Sequence, residues 1–187
     1  MAPNISSTAT FIGPITYPAT KNLRNHFSWI VQQGHTHVTL LISSTGGSLL
    51  EGFALYNFFR ALPLDITMWN IGSIESIANI VFLAADKRLA CPHAYFKFHG
   101  FDWTFKEKET VSHKKLKEIV LSLATDEKRY FTLLKEHTSL TDALIHEMDF
   151  FKKGVIIEAS QAQQLGIVQD VQKIKIPTGQ LVFNIDF

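Results

Sequence analysis

One cysteine, Cys91, is all that the 187 residues contain. That count excludes a disulfide framework and a multi-cysteine zinc site. An excess of charge of one sign is missing too. The 18 Lys and Arg oppose 17 Asp and Glu, for a net charge of +1. Such a balance supplies no field to hold nucleic acid or an anionic membrane, and neither is expected as a partner. Long hydrophobic runs are also lacking. The longest, Ile77 to Ala85, is interrupted by Asn79, and it falls far short of the ~18 residues that a membrane span needs. Met1 to Thr10 is rich in Ser and Thr, without the basic and then apolar pattern of a secretory signal. These absences predict a soluble, cytoplasmic protein. What is present is a globular composition, 46% hydrophobic and 19% charged, which excludes a disordered chain. The length suits one domain, which at this size buries about 70% of its unfolded surface.

Short β-rich runs alternate with helical patterns. Thr10-Phe11-Ile12 reads as a strand ending at Gly13-Pro14. Residues 20–33 place Leu23, Phe27, Ile30 and Val31 at helical spacing, and Gly34 closes that helix. Val38 to Ile42 is apolar almost throughout, as in a strand buried on both faces. A loop over 43–47 leads into a helix over 48–61, which Pro63 stops. The unit then repeats, with a strand at Ile66 to Ile71, a turn at Gly72 to Glu75 and a short apolar helix at Ser76 to Ala85. Lys87 to Ala90, Pro92 and a strand at Ala94 to Phe98 follow. This alternation predicts crossover connections and a largely parallel sheet. From Gly100 the character changes. Thr110 to about His137 reads as one long helix, too long to lie wholly on a small sheet, so part of it projects or meets another subunit. Shorter helices are expected at about 139–147 and 158–165, and strands at Ile167 to Ile174 and Gln180 to Ile185.

Two loops leave the C-terminal ends of strands and enter helices, the place where open α/β sheets put their sites. Ser44-Thr45-Gly46-Gly47 brings backbone N–H groups near a ligand, because glycine has no Cβ. Gly72-Ser73-Ile74-Glu75-Ser76 sets a serine near the first turn of a helix, where serine also serves as an ordinary cap. His99 follows the apolar strand one place over, at the same sheet edge. Serine, histidine and a Gly-Gly turn together make a nucleophile, a base and an oxyanion hole. His35 and His37 lie in a turn with no third ligand indicated, so no metal is expected.

These residues resemble the proteolytic subunit of the Clp protease, in the ClpP/crotonase superfamily. The resemblance runs from Phe11 to about Val171. It rests on Phe11-Ile-Gly-Pro-Ile, on Ile42-Ser-Ser-Thr-Gly-Gly-Ser48 for the family's S-P-G-G turn, and on Gly52. Gly72-x-x-x-Ser76 matches the family's nucleophile turn, and Arg88 to Pro92 with Phe98-His99 matches the approach to its histidine. Glu158-Ala-Ser-Gln-Ala162 through Leu165-Gly166-Ile-Val168 and Asp170 resembles its ending. The resemblance implies an α/β fold of repeated β-β-α units with a mainly parallel sheet. It also implies a head, about 1–99 and 138–187, and a protruding handle helix, about 100–137. The implied activity is a serine peptidase with Ser76 as nucleophile, His99 as base, and the N–H groups of Gly47 and Ile77 as oxyanion hole. The implied substrates are peptides or unfolded proteins, cleaved inside a homo-oligomer of stacked rings without a cofactor.

The sequence departs from the family in four places. Thr45 stands for the proline of S-P-G-G. Glu75 precedes Ser76, where it either raises the pKa of the histidine, obstructs substrate or faces solvent. The family's aspartate falls at Lys153 or Gly154, neither an acid, which leaves Asp149 upstream as the nearest candidate for the third triad residue. Only ten residues precede Phe11, which argues against the ATP-driven unfoldase that the family's longer arm faces. The aromatics Phe58, Phe59, Trp69 and Trp103 are expected mostly in the core, with ring interfaces as the other use. A non-catalytic structural or regulatory subunit is the alternative to a peptidase, and a crotonase-like acyl-CoA enzyme is a third reading.

Overall fold

Apolar residues switch between a period of two and one near 3.6 along the chain, and strands and helices follow that switch. The computed structural model describes residues 5–105, 110–150 and 154–186. The order is β1 (Ser6–Ile12), α1 (Tyr17–Gln32), β2 (His37–Ser44), α2 (Leu49–Ala61), β3 (Asp65–Glu75) and α3 (Ala78–Leu83). There follow β4 (Lys87–Ala90), β5 (Tyr95–Phe98), α4 (His113–His137) and α5 (Asp142–Glu147). The chain ends with β6 (Val155–Glu158), α6 (Ala159–Gln164), β7 (Asp170–Val171) and β8 (Val182–Asn184). The helix starts are written in the sequence. Thr16 caps α1 by accepting from the Ala19 N–H, with proline in the first turn, so α1 begins earlier than its apolar spacing alone suggests. Ser48 caps α2 through the Glu51 N–H.

The strands form one sheet in the order β6-β5-β3-β2-β1-β8, with β4 beside β3 and β7 beside β4. Every pairing is parallel except that of β5 with β6. The mainly parallel α/β sheet is therefore as expected. One local expectation fails. Gly72 to Glu75 is not a turn, because the backbone continues as strand to Glu75. The first part of β3 pairs with β4 and the last part with β5, through Ser73↔Tyr95, Ile74↔Phe96 and Glu75↔Lys97. Its register with β2 shifts between Ile42 and Ser44, and a bulge of this kind bends a strand. Buried Asn70 bridges the bend, donating Nδ2 to the Tyr95 carbonyl at 2.9 Å and accepting the Gly72 N–H at 3.0 Å. The terminal strands are shorter than expected. Ile167 and Val168 are buried in the turn after α6, where both N–H groups donate to the Ala162 carbonyl.

Helix α4 is about 37 Å long at 1.5 Å per residue. Its C-terminal half seats Tyr130 and Leu134 in the core, whereas Leu116, Val120 and Leu121 lie exposed nearer its start. The end of α4 is tied down by buried Arg88. Its guanidinium donates to the carbonyls of Ile167 (2.8 Å), Ala85 (3.0 Å), His137 (2.9 Å) and Gly166 (3.4 Å). His137 packs there with Nε2 2.7 Å from the Tyr56 hydroxyl. Burial first, and then the positive Arg88 and Arg60, hold its imidazole below the ordinary value of 6.5. The unfolded chain therefore takes up this proton before the folded one. Stability present above pH 6.5 is lost as pH falls through the folded-state value. Between about pH 7.5 and about pH 5.5 the melting temperature is expected to drop more in the wild type than in His137→Gln. Calorimetry checks this, and equal drops would refute it.

Candidate active site

Strand β3 ends at Glu75, and the next residue, Ser76, has φ 55°. A side chain in that left-handed region costs about 1–2 kcal/mol, so its surroundings must hold it there. The Ser76 N–H donates to the Lys97 carbonyl at 3.0 Å. Its own carbonyl accepts from the Asn79 N–H at 3.1 Å, from Asn79 Nδ2 at 3.0 Å and from the Tyr130 hydroxyl at 3.0 Å. Asn79 Nδ2 also donates to the Lys97 carbonyl at 2.8 Å. Ser76 does not cap the helix that follows. The N-cap of α3 is Ile77, and no side chain caps it. Ser76 is buried, and its Oγ makes no hydrogen bond among the described residues. The ordinary structural use of a serine at this place is thus not taken up.

The Gly46-Gly47 turn packs directly on this step. A Cβ on Gly46 would stand 2.7 Å from both Ser76 Cβ and the Glu75 carbonyl oxygen, and 3.3 Å from the Ile77 nitrogen. A Cβ on Gly47, at φ 148°, would stand 2.4 Å from the Ile15 carbonyl oxygen. Only glycine fits either position. The turn is laced to Ile15, whose N–H donates to the Gly46 carbonyl at 2.7 Å and whose carbonyl accepts the Ser48 N–H at 2.9 Å. The N–H groups of Gly47 and Ile77 have no acceptor among the described residues. Two unpaired backbone donors close to a serine are the raw material of an oxyanion hole.

His99 follows β5, the strand beside the end of β3, so it reaches the same sheet edge as Ser76. Its Nδ1 lies 2.6 Å from the Gly100 carbonyl. A carbonyl only accepts, so Nδ1 carries the proton and Nε2 is left as the basic nitrogen. No Ser76–His99 hydrogen bond is formed among the described residues. Catalytic hydrogen bonds are often long without substrate and tighten on binding. Asp149, half-buried at φ 54° after α5, makes no hydrogen bond or ion pair with His99. Gly154 is brought near the histidine. A Cβ there would stand 3.8 Å from His99 Cβ and 3.6 Å from the Phe98 carbonyl oxygen. Lys153 lies outside the described residues.

Glu75 is turned toward β5. It accepts from the Tyr95 hydroxyl at 3.1 Å and lies 3.6 Å from Lys97 Nζ, its register partner. His37 pairs with Asp65 at 2.9 Å and with Thr36 Oγ1 at 2.9 Å. No group of three metal-ligating side chains occurs among the described residues. Phe59 is buried and Trp103 exposed. Asn79 and Tyr130 carry only weak signals in the sequence, a polar break in an apolar run and a phenol among the apolar positions of a long helix. A buried hydroxyl of that kind needs a partner.

The family profile described as Clp protease matches residues 11–175. An ATP-dependent Clp protease proteolytic subunit from Cuscuta reflexa is 30% identical over 143 residues, covering 75% of this chain and 69% of the relative. Proteolytic subunit 1 from Streptomyces avermitilis is 27% identical over 142 residues, covering 63% and 65%. The chain thus spans about two thirds of the length of these curated relatives. Among solved structures, a mutant of ClpP1 from Listeria monocytogenes superposes with a TM-score of 0.79 at 16% identity, over 90% of this chain and 92% of that one. That likeness shows the fold. Among the described residues, no helix is long and apolar enough to cross a membrane.

Proposed function

The chain belongs to the Clp protease family, and on that premise we propose that it is a serine peptidase with Ser76 as nucleophile and His99 as general base. The observation that carries the reading is Ser76 itself. It sits in a strained left-handed turn and, among the described residues, its Oγ is unbonded and the Gly47 N–H of the adjoining Gly-Gly turn has no acceptor. Strain of this kind persists only where the surrounding structure over-determines it, and it clusters at active sites. His99 Nε2 takes the Ser76 proton as Oγ attacks the scissile carbonyl, and the N–H groups of Gly47 and Ile77 receive the oxyanion. The imidazolium returns its proton to the departing amine, and water, activated by the same nitrogen, releases the acyl group. The Gly100 carbonyl fixes the tautomer of His99. It carries no full charge to stabilise the imidazolium, so the resting activity is modest. No cofactor enters the mechanism.

The substrate class is peptides and unfolded chains, and the working form is a homo-oligomer. Supporting the second point, Leu116, Val120 and Leu121 are exposed along one stretch of α4, an apolar surface that a second copy would cover. Leu121→Glu is expected to shift sedimentation toward smaller species, and an unchanged profile would refute the assembly role of α4. The activity is tested with a fluorophosphonate probe, read by intact mass and peptide mapping. Labelling is expected at Ser76 and expected to vanish in His99→Ala. Absent labelling in folded, oligomeric protein would favour a non-catalytic subunit, the reading to which the lack of a carboxylate at Gly154 lends weight.

A further inference from the structure

The Ser76–Ile77 peptide joins the nucleophile to one of the two oxyanion donors, and it is planar and trans. Its carbonyl and its N–H therefore point in opposite directions across one rigid plane. Whatever fixes the carbonyl also aims the N–H. That carbonyl receives three donors: the Asn79 N–H at 3.1 Å, Asn79 Nδ2 at 3.0 Å and the Tyr130 hydroxyl at 3.0 Å. Only the first belongs to the ordinary start of a helix. The other two are side-chain donors that this sequence supplies, one from the first turn of α3 and one from α4. Both residues are buried, so neither bond competes with water. Asn79 Nδ2 additionally ties the same peptide to the Lys97 carbonyl on β5, two residues before His99. The plane is thus braced from α4 and from the strand that carries the base.

We infer that Asn79 and Tyr130 are positioning residues of the peptidase, holding the Ser76–Ile77 peptide so that the Ile77 N–H faces the developing oxyanion. The inference rests on the serine-peptidase reading for its catalytic consequence, but the orientation of the peptide plane is a property of the fold alone. Tyr130 also makes α4 a physical link. A displacement of that helix withdraws a hydrogen bond from the carbonyl of the nucleophile.

Tyr130→Phe removes one oxygen and keeps the ring in its place. It is expected to lower kcat about tenfold with KM within about twofold, whereas loss of a whole oxyanion donor costs about 10²–10³. A purely structural role would not separate the two constants. A peptide boronate, whose serine adduct carries a negative tetrahedral centre, is expected to bind about tenfold more weakly. An uncharged peptide amide of the same sequence is expected to bind unchanged. Equal weakening of both ligands, or of neither, would overturn the inference. A crystal structure of the Asn79→Ala, Tyr130→Phe double variant is expected to show the Ser76–Ile77 plane rotated, and an unrotated plane would overturn it whether or not the wild type turns over. If wild-type Ser76 takes no probe, the peptidase reading fails on its own, and the crystallographic result still decides whether these two side chains hold the peptide.

Discussion

Ser76→Ala is expected to abolish peptide hydrolysis, lowering kcat by at least about 10⁴, while leaving fold and assembly unchanged. The size of the effect follows from what the hydroxyl does in the proposed reaction. Without Oγ no acyl-enzyme forms, and His99 has nothing to deprotonate. The oxyanion donors retain only their residual effect on a water attack, the 10³–10⁴ over uncatalysed hydrolysis that survives loss of a nucleophile in other serine peptidases. The fold is spared for reasons seen in the structure. Ser76 Oγ makes no hydrogen bond among the described residues, so its removal leaves no partner unsatisfied. All the bonds that hold residue 76 run through its backbone. Alanine carries the same Cβ, so the left-handed strain is no greater. The change in unfolding free energy is expected to stay within about 0.5 kcal/mol. Assay of hydrolysis beside sedimentation and thermal unfolding checks all three statements. Undiminished hydrolysis would remove Ser76 from the mechanism. Lost activity together with a lost fold would make the result uninformative, and for that case Ser76→Cys, which preserves a nucleophile, supplies the comparison.

The elements that could be read in the sequence are those whose causes are local. Thr16 and Ser48 cap helices, and Val38 to Ile42 is apolar because the strand is covered on both faces. Ser76 and His99 were legible because a parallel sheet sends the ends of neighbouring strands to one edge, whatever their separation in sequence. The bend in β3 was not legible. Gly72 is the usual sign of a turn, and what keeps the backbone extended there is Asn70 reaching to the Tyr95 carbonyl 25 positions away. The same limit hid β6, a run of only four residues, whose partner β5 supplies its reason to be extended. It also hid Tyr130, since nothing in the helical spacing of α4 announces that its hydroxyl ends on the Ser76 carbonyl. The position at which the family resemblance expects an acid shows the difference most sharply. Counting back from the ending Leu165-Gly166-Ile-Val168 gives a position, but only the fold puts Gly154 against His99.

Gly154→Asp is therefore expected to raise kcat, by about 10²-fold. The ceiling is set by other serine peptidases, in which replacing the orienting carboxylate by its amide costs about 10⁴. The full factor is not expected here, because His99 Nδ1 already donates to the Gly100 carbonyl at 2.6 Å and the correct tautomer is present. What is missing is charge. A carboxylate stabilises the imidazolium formed as Ser76 loses its proton, and a neutral carbonyl does so weakly. The described residues leave room for the side chain. Among the described residues, the nearest atoms to a Cβ on residue 154 are the Phe98 carbonyl oxygen at 3.6 Å and His99 Cβ at 3.8 Å, both ordinary contacts. The backbone there has φ 71°, a conformation that aspartate tolerates better than most side chains, at a cost of about 1 kcal/mol. Activity and stability are thus expected to move in opposite directions, which a general improvement in folding would not produce. Gly154→Asn is the control, matching aspartate in shape and backbone preference without the charge. It is expected to share the stability loss and show no gain in rate. Equal kcat values for the Asp and Asn variants would mean that charge beside His99 is not what limits this enzyme.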